Sequence, residues 1–156
     1  MLGDQGAEQV STDCAILLVE DDENDAFFLK RALKELGFRG ELRHVANTDD
    51  AKRYLLGDVP FSDSTKFPRP QIIVADSAIS VRDSGVEFLE WARKKGLCRD
   101  VPFIILSGGI SEEIRNRAEA AGVHQILTKA SSYKDLLPRL RQILDQLPPQ
   151  CREWLI

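Results

Sequence analysis

The chain alternates five short apolar segments with five segments of helical periodicity, and this alternation constrains its fold more than any other feature. The apolar segments are 14–19, 41–46, 71–76, 101–107 and 125–129. The segments between them place apolar residues three and four positions apart, which is typical of helices with one buried face. Parallel strands buried on both faces read as continuous apolar runs. The sequence therefore predicts an α/β fold with a doubly wound, five-stranded parallel sheet and helices on both faces.

Residues that begin or end helices define the limits of the predicted helices. These helices are predicted at 24–36, 47–56, 84–95, 111–121 and from 132 onward. The expected N-caps and terminating glycines are Asn47, Ser111, Ser132, Gly37, Gly57 and Gly122. Pro138 falls within the last helix, where it should kink that helix or delay its start.

The composition is that of an ordinary globular domain. The chain has 156 residues, of which 43% are hydrophobic and 29% charged, and this size suits a single domain. No apolar stretch is long enough to cross a bilayer, and residues 1–13 lack the order of a signal peptide. We therefore expect a cytoplasmic protein without a membrane partner. The net charge of -4 argues against a nucleic-acid surface, which would need clustered Lys and Arg.

The cysteines and histidines give no sign of a metal or catalytic site of their own. Cys14, Cys98 and Cys151 are odd in number and widely spaced, and none pairs with a nearby His in a zinc pattern. We expect all three to be reduced structural thiols. His44 and His124 each stand among apolar neighbours, and neither is assigned a catalytic role.

Four of the five predicted strands end in polar residues or are followed directly by them. In chain order these residues are Glu20 and Asp21, then Asp76, then Ser107 with Gly108 and Gly109, then Thr128 and Lys129. Ligands of open parallel sheets bind beyond the carboxyl ends of the strands, so these side chains should meet at one edge. The second strand ends in Ala46 and contributes none, as expected if it lies at the sheet margin.

Three carboxylates, a hydroxyl and an ammonium at one edge suit a metal ion and a phosphoryl group. Clustered carboxylates repel one another, and a hard divalent cation such as Mg²⁺ relieves that repulsion. Zinc is a poor match because it prefers His or Cys. Each residue taken alone has a structural alternative: Asp22, Glu23 and Asp25 fit as a cap and as dipole partners of the first helix. The joint pattern is more specific than any one residue.

The motifs LLVEDD, IIVAD, FIILSGG and LTKA together resemble the receiver domain of two-component response regulators. The resemblance covers residues 14 to about 147 and implies the flavodoxin-like strand order 2-1-3-4-5. It implies that Asp76 accepts a phosphoryl group from a histidine kinase or phosphotransfer protein, with Mg²⁺, or Mn²⁺ in its place, as the cofactor. Such a domain of bacterial signalling is not an enzyme on an external substrate: it catalyses only its own phosphorylation and dephosphorylation, and signals through its protein-binding face.

The same resemblance implies a role for each of the other site residues, with the KELGF stretch setting the register. The implied metal ligands are Glu20 (through water), Asp21, Asp76 and the backbone carbonyl of Ala78. The implied phosphoryl-stabilising and switch residues are Ser107 and Lys129. Ala78 and Gly109 would flank the path of water to the phosphoryl group, and so tune the rate of dephosphorylation.

Four features depart from the family pattern. They are Ser80 in place of a proline, the longer Asp83–Gly85 stretch, Ala130 in place of the proline after the lysine, and Ile126 at the aromatic switch position. An Ile has no ring to swing between buried and exposed positions. A pseudo-receiver that binds a partner without phosphorylation is therefore an alternative. An Mg²⁺-dependent phosphatase is a second one, but it would want another Asp two positions after Asp76.

The resemblance also predicts how the chain is divided. We expect residues 1–13 to be a flexible N-terminal extension, 14–147 the receiver domain and 148–156 a C-terminal tail too short for an output domain. This division of the chain, together with the long loop at 58–70, resembles that of single-domain regulators partnered with phytochrome-type kinases. The apolar end Trp154–Ile156 is expected to fold back on the domain; the alternative is contact with a downstream protein or with a second copy in a homodimer.

Overall fold

The computed structural model describes residues 14–79, 84–129, 132–148 and 151. Strands and helices alternate strictly along this part of the chain. The strands are β1 (Ala15–Val19), β2 (Glu41–Val45), β3 (Ile72–Asp76), β4 (Phe103–Ser107) and β5 (Gln125–Thr128). The helices are α1 (Glu23–Glu35), α2 (Thr48–Leu56), α3 (Gly85–Lys94), α4 (Glu112–Ala120) and α5 (Tyr133–Leu144). None of these helices is long and apolar enough to span a bilayer.

The five strands form one parallel sheet in the order β2-β1-β3-β4-β5, which confirms the predicted order. The register aligns the carboxyl ends of neighbouring strands: Val19 lies beside Ala75, Asp76 beside Leu106, and Ser107 beside Thr128. The residues that follow β1, β3, β4 and β5 are therefore brought to the same edge of the sheet. The strand β2 lies at the opposite margin of the sheet from β5, as the sequence predicts.

Two hydrophobic layers cover the sheet, which explains why the strands read as continuous apolar runs. Alternate strand residues point to opposite faces. One layer packs strand residues such as Ile16, Val74 and Ile104 against α1 and α5. The other packs the intervening residues, such as Leu17 and Ile73, against α2, α3 and α4. This is the doubly wound arrangement predicted from the sequence.

The predicted helix caps are confirmed. The side chains that accept a backbone N–H at the start of a helix are Asp22, Asn47, Ser84, Ser111 and Ser132. Gly57 follows α2 with a φ of 72°, a left-handed conformation that glycine adopts at little cost.

Pro138 does not delay α5, so that part of the prediction is wrong. The helix begins at Tyr133, directly after Ser132, whose Oγ accepts the N–H of Asp135 at 3.2 Å. Proline removes one backbone donor from a helix. After the proline, Leu140, Ile143 and Leu144 are buried in the core beneath the helix, and before it Leu136 and Leu137 are partly buried against the same core, so packing holds the segment on both sides of the proline. The alternative effect, a kink at Pro138, stays a prediction.

The prediction of three reduced thiols is also wrong, because Cys14 and Cys151 form a disulfide. Both residues are fully buried, and of the cysteines Cys98 alone is free. The chain returns after α5 to the start of β1, where the backbone carbonyl of Cys151 accepts the N–H of Arg39 at 3.1 Å. Wide spacing in sequence therefore did not mean distance in space.

Cys151 also bears on the predicted division of the chain, because it packs in the same hydrophobic cluster as α1 and α5 although it lies beyond the expected domain end at residue 147. Several predictions fall outside the described residues. They concern residues 1–13, Ser80, Asp83, Ala130 and Trp154–Ile156.

Candidate functional site

Three acidic side chains meet at the carboxyl edge of the sheet. Glu20, Asp21 and Asp76 each offer one carboxylate oxygen that lies within 4.8 Å of the other two. Glu20 is 1% exposed and Asp76 6% exposed, whereas Asp21 is open to solvent. The pairing of Val19 with Ala75 places Glu20 and Asp76 side by side, one position beyond that pair. The structure thus brings together the acidic residues that the sequence singles out.

Lys129 reaches the same edge from β5 and provides the positive charge. Its Nζ lies 2.7 Å from Oδ2 of Asp76, 3.3 Å from Oε1 of Glu20 and 3.4 Å from Oδ2 of Asp25. Its backbone N–H donates to the carbonyl of Ser107 at 2.7 Å, which fixes the end of β5 against β4. From the sequence, Asp25 is expected only to complement the dipole of α1 in its first turn. Its contact with Lys129 was missed because that lysine is distant in sequence.

Burial and charge shape the electrostatics of this cluster. Burial, followed by the nearby Asp76 carboxylate, raises the pKa of Glu20 to about 7. Burial lowers the pKa of Lys129, but its hydrogen bond to Asp76 and the charge of Glu20 outweigh burial, so the pKa rises above its ordinary value. The ammonium is therefore firmly charged, and the carboxyl groups of Glu20, Asp25 and Asp76 all lie within 3.4 Å of it.

The residues present fit a hard divalent cation. The donor set is oxygen-only, which is what Mg²⁺ and Mn²⁺ prefer. Oε1 of Glu20 is buried, and apart from its ion pair with Lys129 Nζ at 3.3 Å it has no hydrogen-bond partner among the described residues. A buried carboxylate oxygen left in this state is costly unless a further positive group approaches it. A cation between Glu20, Asp21 and Asp76 would meet that need.

Three further predicted site residues, Ala78, Ser107 and Gly109, lie close to Asp76 in sequence or at the end of β4. The N–H of Ala78 donates to Oδ1 of Asp76 at 3.1 Å. The predicted role of the Ala78 carbonyl as a metal ligand stays a prediction. Ser107 is buried, and its Oγ accepts the N–H of Gly109 at 3.1 Å. Gly109 is exposed, and a Cβ added there would meet nothing within 4 Å.

Gly85 has a steric role that the sequence reasoning missed. It is the first residue of α3, and a Cβ added to it would lie 2.5 Å from the backbone carbonyl oxygen of Asp76. Only a glycine lets the helix approach the acidic strand end this closely. The available sequence signal is a glycine directly after the N-cap serine Ser84. The sequence alone led us to interpret this stretch only as a longer loop.

Ile126 lies on β5, where it pairs with Ile105 of β4. Its side chain is partly buried and packs against the layer formed with α2, α3 and α4. The residue therefore acts as an aliphatic packing residue of the sheet, and its role in switching stays a prediction.

A comparison with models of known protein families identifies the family of this chain. The family model for the response regulator receiver domain matches residues 16–141. The chain belongs to the response regulator receiver family, whose members are signalling domains of two-component systems.

Curated relatives agree with this family at low identity. The probable methanogenesis regulatory protein FilR2 of Methanothrix harundinacea (strain 6Ac) is 27% identical over 128 residues, covering 82% of this chain and 79% of FilR2. The phosphate regulon transcriptional regulatory protein PhoB of Escherichia coli (strain K12) is 28% identical over 89 residues, or 57% of this chain. That match spans 38% of the length of PhoB.

Solved structures show the same fold. The phosphorylated cyanobacterial phytochrome response regulator RcpA is 24% identical, with a TM-score of 0.74, over 85% of this chain and 91% of RcpA. A response regulator in red light signaling of R. palustris is 22% identical, with a TM-score of 0.77, over 87% of this chain and 94% of that protein. The Mn²⁺-bound form of the response regulator Rcp1 is 24% identical, with a TM-score of 0.71, over 85% of this chain and 92% of Rcp1.

Proposed function

We propose that this chain is a receiver that accepts a phosphoryl group on Asp76 from a histidine kinase or phosphotransfer protein. The observation that carries the proposal is the environment of the Asp76 carboxylate. One of its oxygens meets Lys129 Nζ at 2.7 Å and the other accepts the N–H of Ala78 at 3.1 Å. The same carboxylate lies within 4.8 Å of carboxylate oxygens of Glu20 and Asp21. It is thus oriented on two sides and surrounded by groups suited to a cation.

In the proposed reaction a carboxylate oxygen of Asp76 attacks the phosphorus of a phosphohistidine. The new oxygen–phosphorus bond forms as the phosphorus–nitrogen bond breaks, and the electron pair leaves with the imidazole nitrogen. Lys129 offsets part of the negative charge of the resulting acyl phosphate. When bound, Mg²⁺ or Mn²⁺ would neutralise charge between the acidic residues and the phosphoryl oxygens. Glu20, Asp21, Asp76 and the Ala78 carbonyl are the groups that would hold it.

The signal would pass from the site through the ends of β4 and β5. We assign Ser107 the role of donating its hydroxyl proton to a phosphoryl oxygen, while a lone pair of its Oγ continues to accept the N–H of Gly109. Because the N–H of Lys129 donates to the carbonyl of Ser107, a displacement of the end of β4 would also displace the end of β5. The resulting change would alter the protein-binding face near α4 and β5. The receiving partner is an unidentified protein.

The proposal is tested by acetyl phosphate treatment with and without Mg²⁺, followed by intact mass measurement. We expect the wild-type chain to gain the mass of one phosphoryl group only when Mg²⁺ is present, and Asp76→Asn to gain none. Modification retained in Asp76→Asn would contradict the assignment of the acceptor. A folded wild-type chain that stays unmodified under both conditions would instead support the pseudo-receiver. A phytochrome-type kinase is the donor to test first, because RcpA is a phytochrome response regulator and the R. palustris protein is a response regulator in red light signaling.

Replacing Gly109 by Met is expected to slow the decay of the phosphorylated protein by about threefold, equivalent to ~0.7 kcal/mol in the barrier. The side chain would stand in open space next to Ser107 and shield the phosphoryl group from water. The measurement is the loss of phosphoprotein mass with time after the phosphodonor is removed. Gly108→Met is the matched control, because a Cβ there also meets nothing within 4 Å. Equal decay rates for wild type and Gly109→Met would contradict the tuning role.

A further inference from the structure

His44 lies on the edge strand β2 and contacts the backbone of the acidic cluster. Its Nε2 is 2.6 Å from the carbonyl oxygen of Glu20. A carbonyl oxygen can only accept a hydrogen bond, so Nε2 carries the proton and donates. The sequence reasoning assigned this histidine no role, because the partner is a backbone atom that no spacing pattern reveals.

The contact with His44 is the second of two that tie Glu20 to β2. The N–H of Glu20 donates to the carbonyl of Val45 at 3.0 Å. Both backbone polar groups of Glu20 are therefore held by β2, although Glu20 itself lies one position beyond the end of β1. The side chain of His44 therefore adds a contact between β2 and the backbone one residue beyond the last paired residues, Val19 and Val45.

The carbonyl that His44 binds belongs to the peptide bond between Glu20 and Asp21. The orientation of that peptide sets the directions in which both acidic side chains leave the strand. One of them is buried against Lys129 and the other is open to solvent, yet their oxygens meet within 4.8 Å at Asp76. A rotation of this peptide would move the two carboxylates relative to Asp76.

We propose that His44 is a positioning residue of the metal centre, which holds the Glu20–Asp21 peptide so that both carboxylates face Asp76. This inference rests on the proposed function. Groups that orient metal ligands contribute to affinity without touching the metal, and their loss typically costs about 10- to 100-fold. His44 is exposed and acts through the backbone, so its effect should fall below that range.

The test measures the dissociation constant of Mg²⁺ by calorimetry in variants of the full chain. We expect His44→Phe, which keeps a ring but loses the donor, to raise the dissociation constant about fivefold, or ~1 kcal/mol. His44→Gln should recover most of the affinity, because its amide nitrogen stands the same number of bonds from Cα as Nε2. His124→Phe is the matched control and should leave the affinity unchanged, since His124 lies at the opposite end of the sheet, where its N–H donates to the carbonyl of Phe103.

A merely structural role predicts a different result. If His44 only secures the edge strand, His44→Phe will lower the melting temperature while the Mg²⁺ affinity stays within twofold of wild type, and this outcome would overturn the proposal. Failure of the proposed function gives another pattern, in which the wild-type chain itself neither binds Mg²⁺ nor gains a phosphoryl group. The two failures are therefore distinguishable in one set of proteins.

Discussion

Opening the Cys14–Cys151 disulfide is expected to lower the free energy of unfolding by about 4 kcal/mol. The bond joins residues that are 137 positions apart, so it closes nearly the whole folded domain into one loop. Such a link restricts the unfolded chain, and the restriction grows with the logarithm of loop length. Both cysteines are fully buried in the cluster beneath α1 and α5. Their reduced side chains can still pack there, so the expected loss comes from the unfolded state.

Denaturant unfolding of the oxidised chain and of Cys14→Ala/Cys151→Ala measures this effect. Cys98→Ala is the control, because Cys98 is the free cysteine and lies outside the disulfide. Thiol alkylation under denaturing conditions should label one cysteine in the oxidised wild type and three after reduction. Unfolding midpoints that do not differ between oxidised wild type and the double variant would contradict the prediction. Mg²⁺ affinity should not change, since the disulfide attaches at Cys14, at the amino end of β1, whereas Glu20, Asp21 and Asp76 lie at the carboxyl ends of the strands.

The strands and the acidic cluster could be predicted because they depend on local or repetitive features, whereas the strand order was implied by the resemblance to receiver domains. Continuous apolar runs mark strands that are buried on both faces, and serine or asparagine caps mark the helices. Once the sheet is parallel, the residues after each strand must share one edge. Glu20, Asp76 and Lys129 could therefore be grouped before any distance was known.

The features that were missed depend on contacts that produce no periodic pattern in the sequence. The pairing of Cys14 with Cys151 follows from where the chain returns after α5. The contact between Asp25 and Lys129 was missed because the position of Asp25 in the first turn of α1 already accounts for an acidic residue there. His44 and Gly85 act on backbone carbonyls, and a carbonyl is present at every residue. Sequence patterns name the side chains of a site more readily than the contacts that hold its backbone.

Replacing Lys129 by Met is expected to lower the free energy of unfolding of the metal-free protein by about 2 kcal/mol. The substitution leaves the buried carboxylates of Glu20 and Asp76 without the cation that now lies 3.3 Å and 2.7 Å from them. Removing one partner of a fully buried ion pair typically costs about 3–5 kcal/mol. The side chain of Lys129 is 30% exposed, so solvent screening should reduce the loss. Met keeps most of the apolar stem and limits the packing change.

Mg²⁺ should stabilise Lys129→Met more than it stabilises wild type, because the variant has greater need of positive charge beside the same carboxylates. Thermal unfolding with and without Mg²⁺ measures this difference. Lys30→Met is the control: that lysine is exposed on α1, and its replacement should change the free energy of unfolding by less than about 0.5 kcal/mol.

A double-mutant cycle with Asp76→Asn separates the charge effect from other causes. Asn removes the negative charge nearest to Lys129 and leaves a side chain of the same shape. If the loss arises from unpaired carboxylates, Lys129→Met should cost clearly less in the Asp76→Asn background than in wild type. A loss of the same size in both backgrounds would mean that Lys129 stabilises the fold through its packing at the end of β5. The role of this lysine as the charge partner of Asp76 would then have to be abandoned.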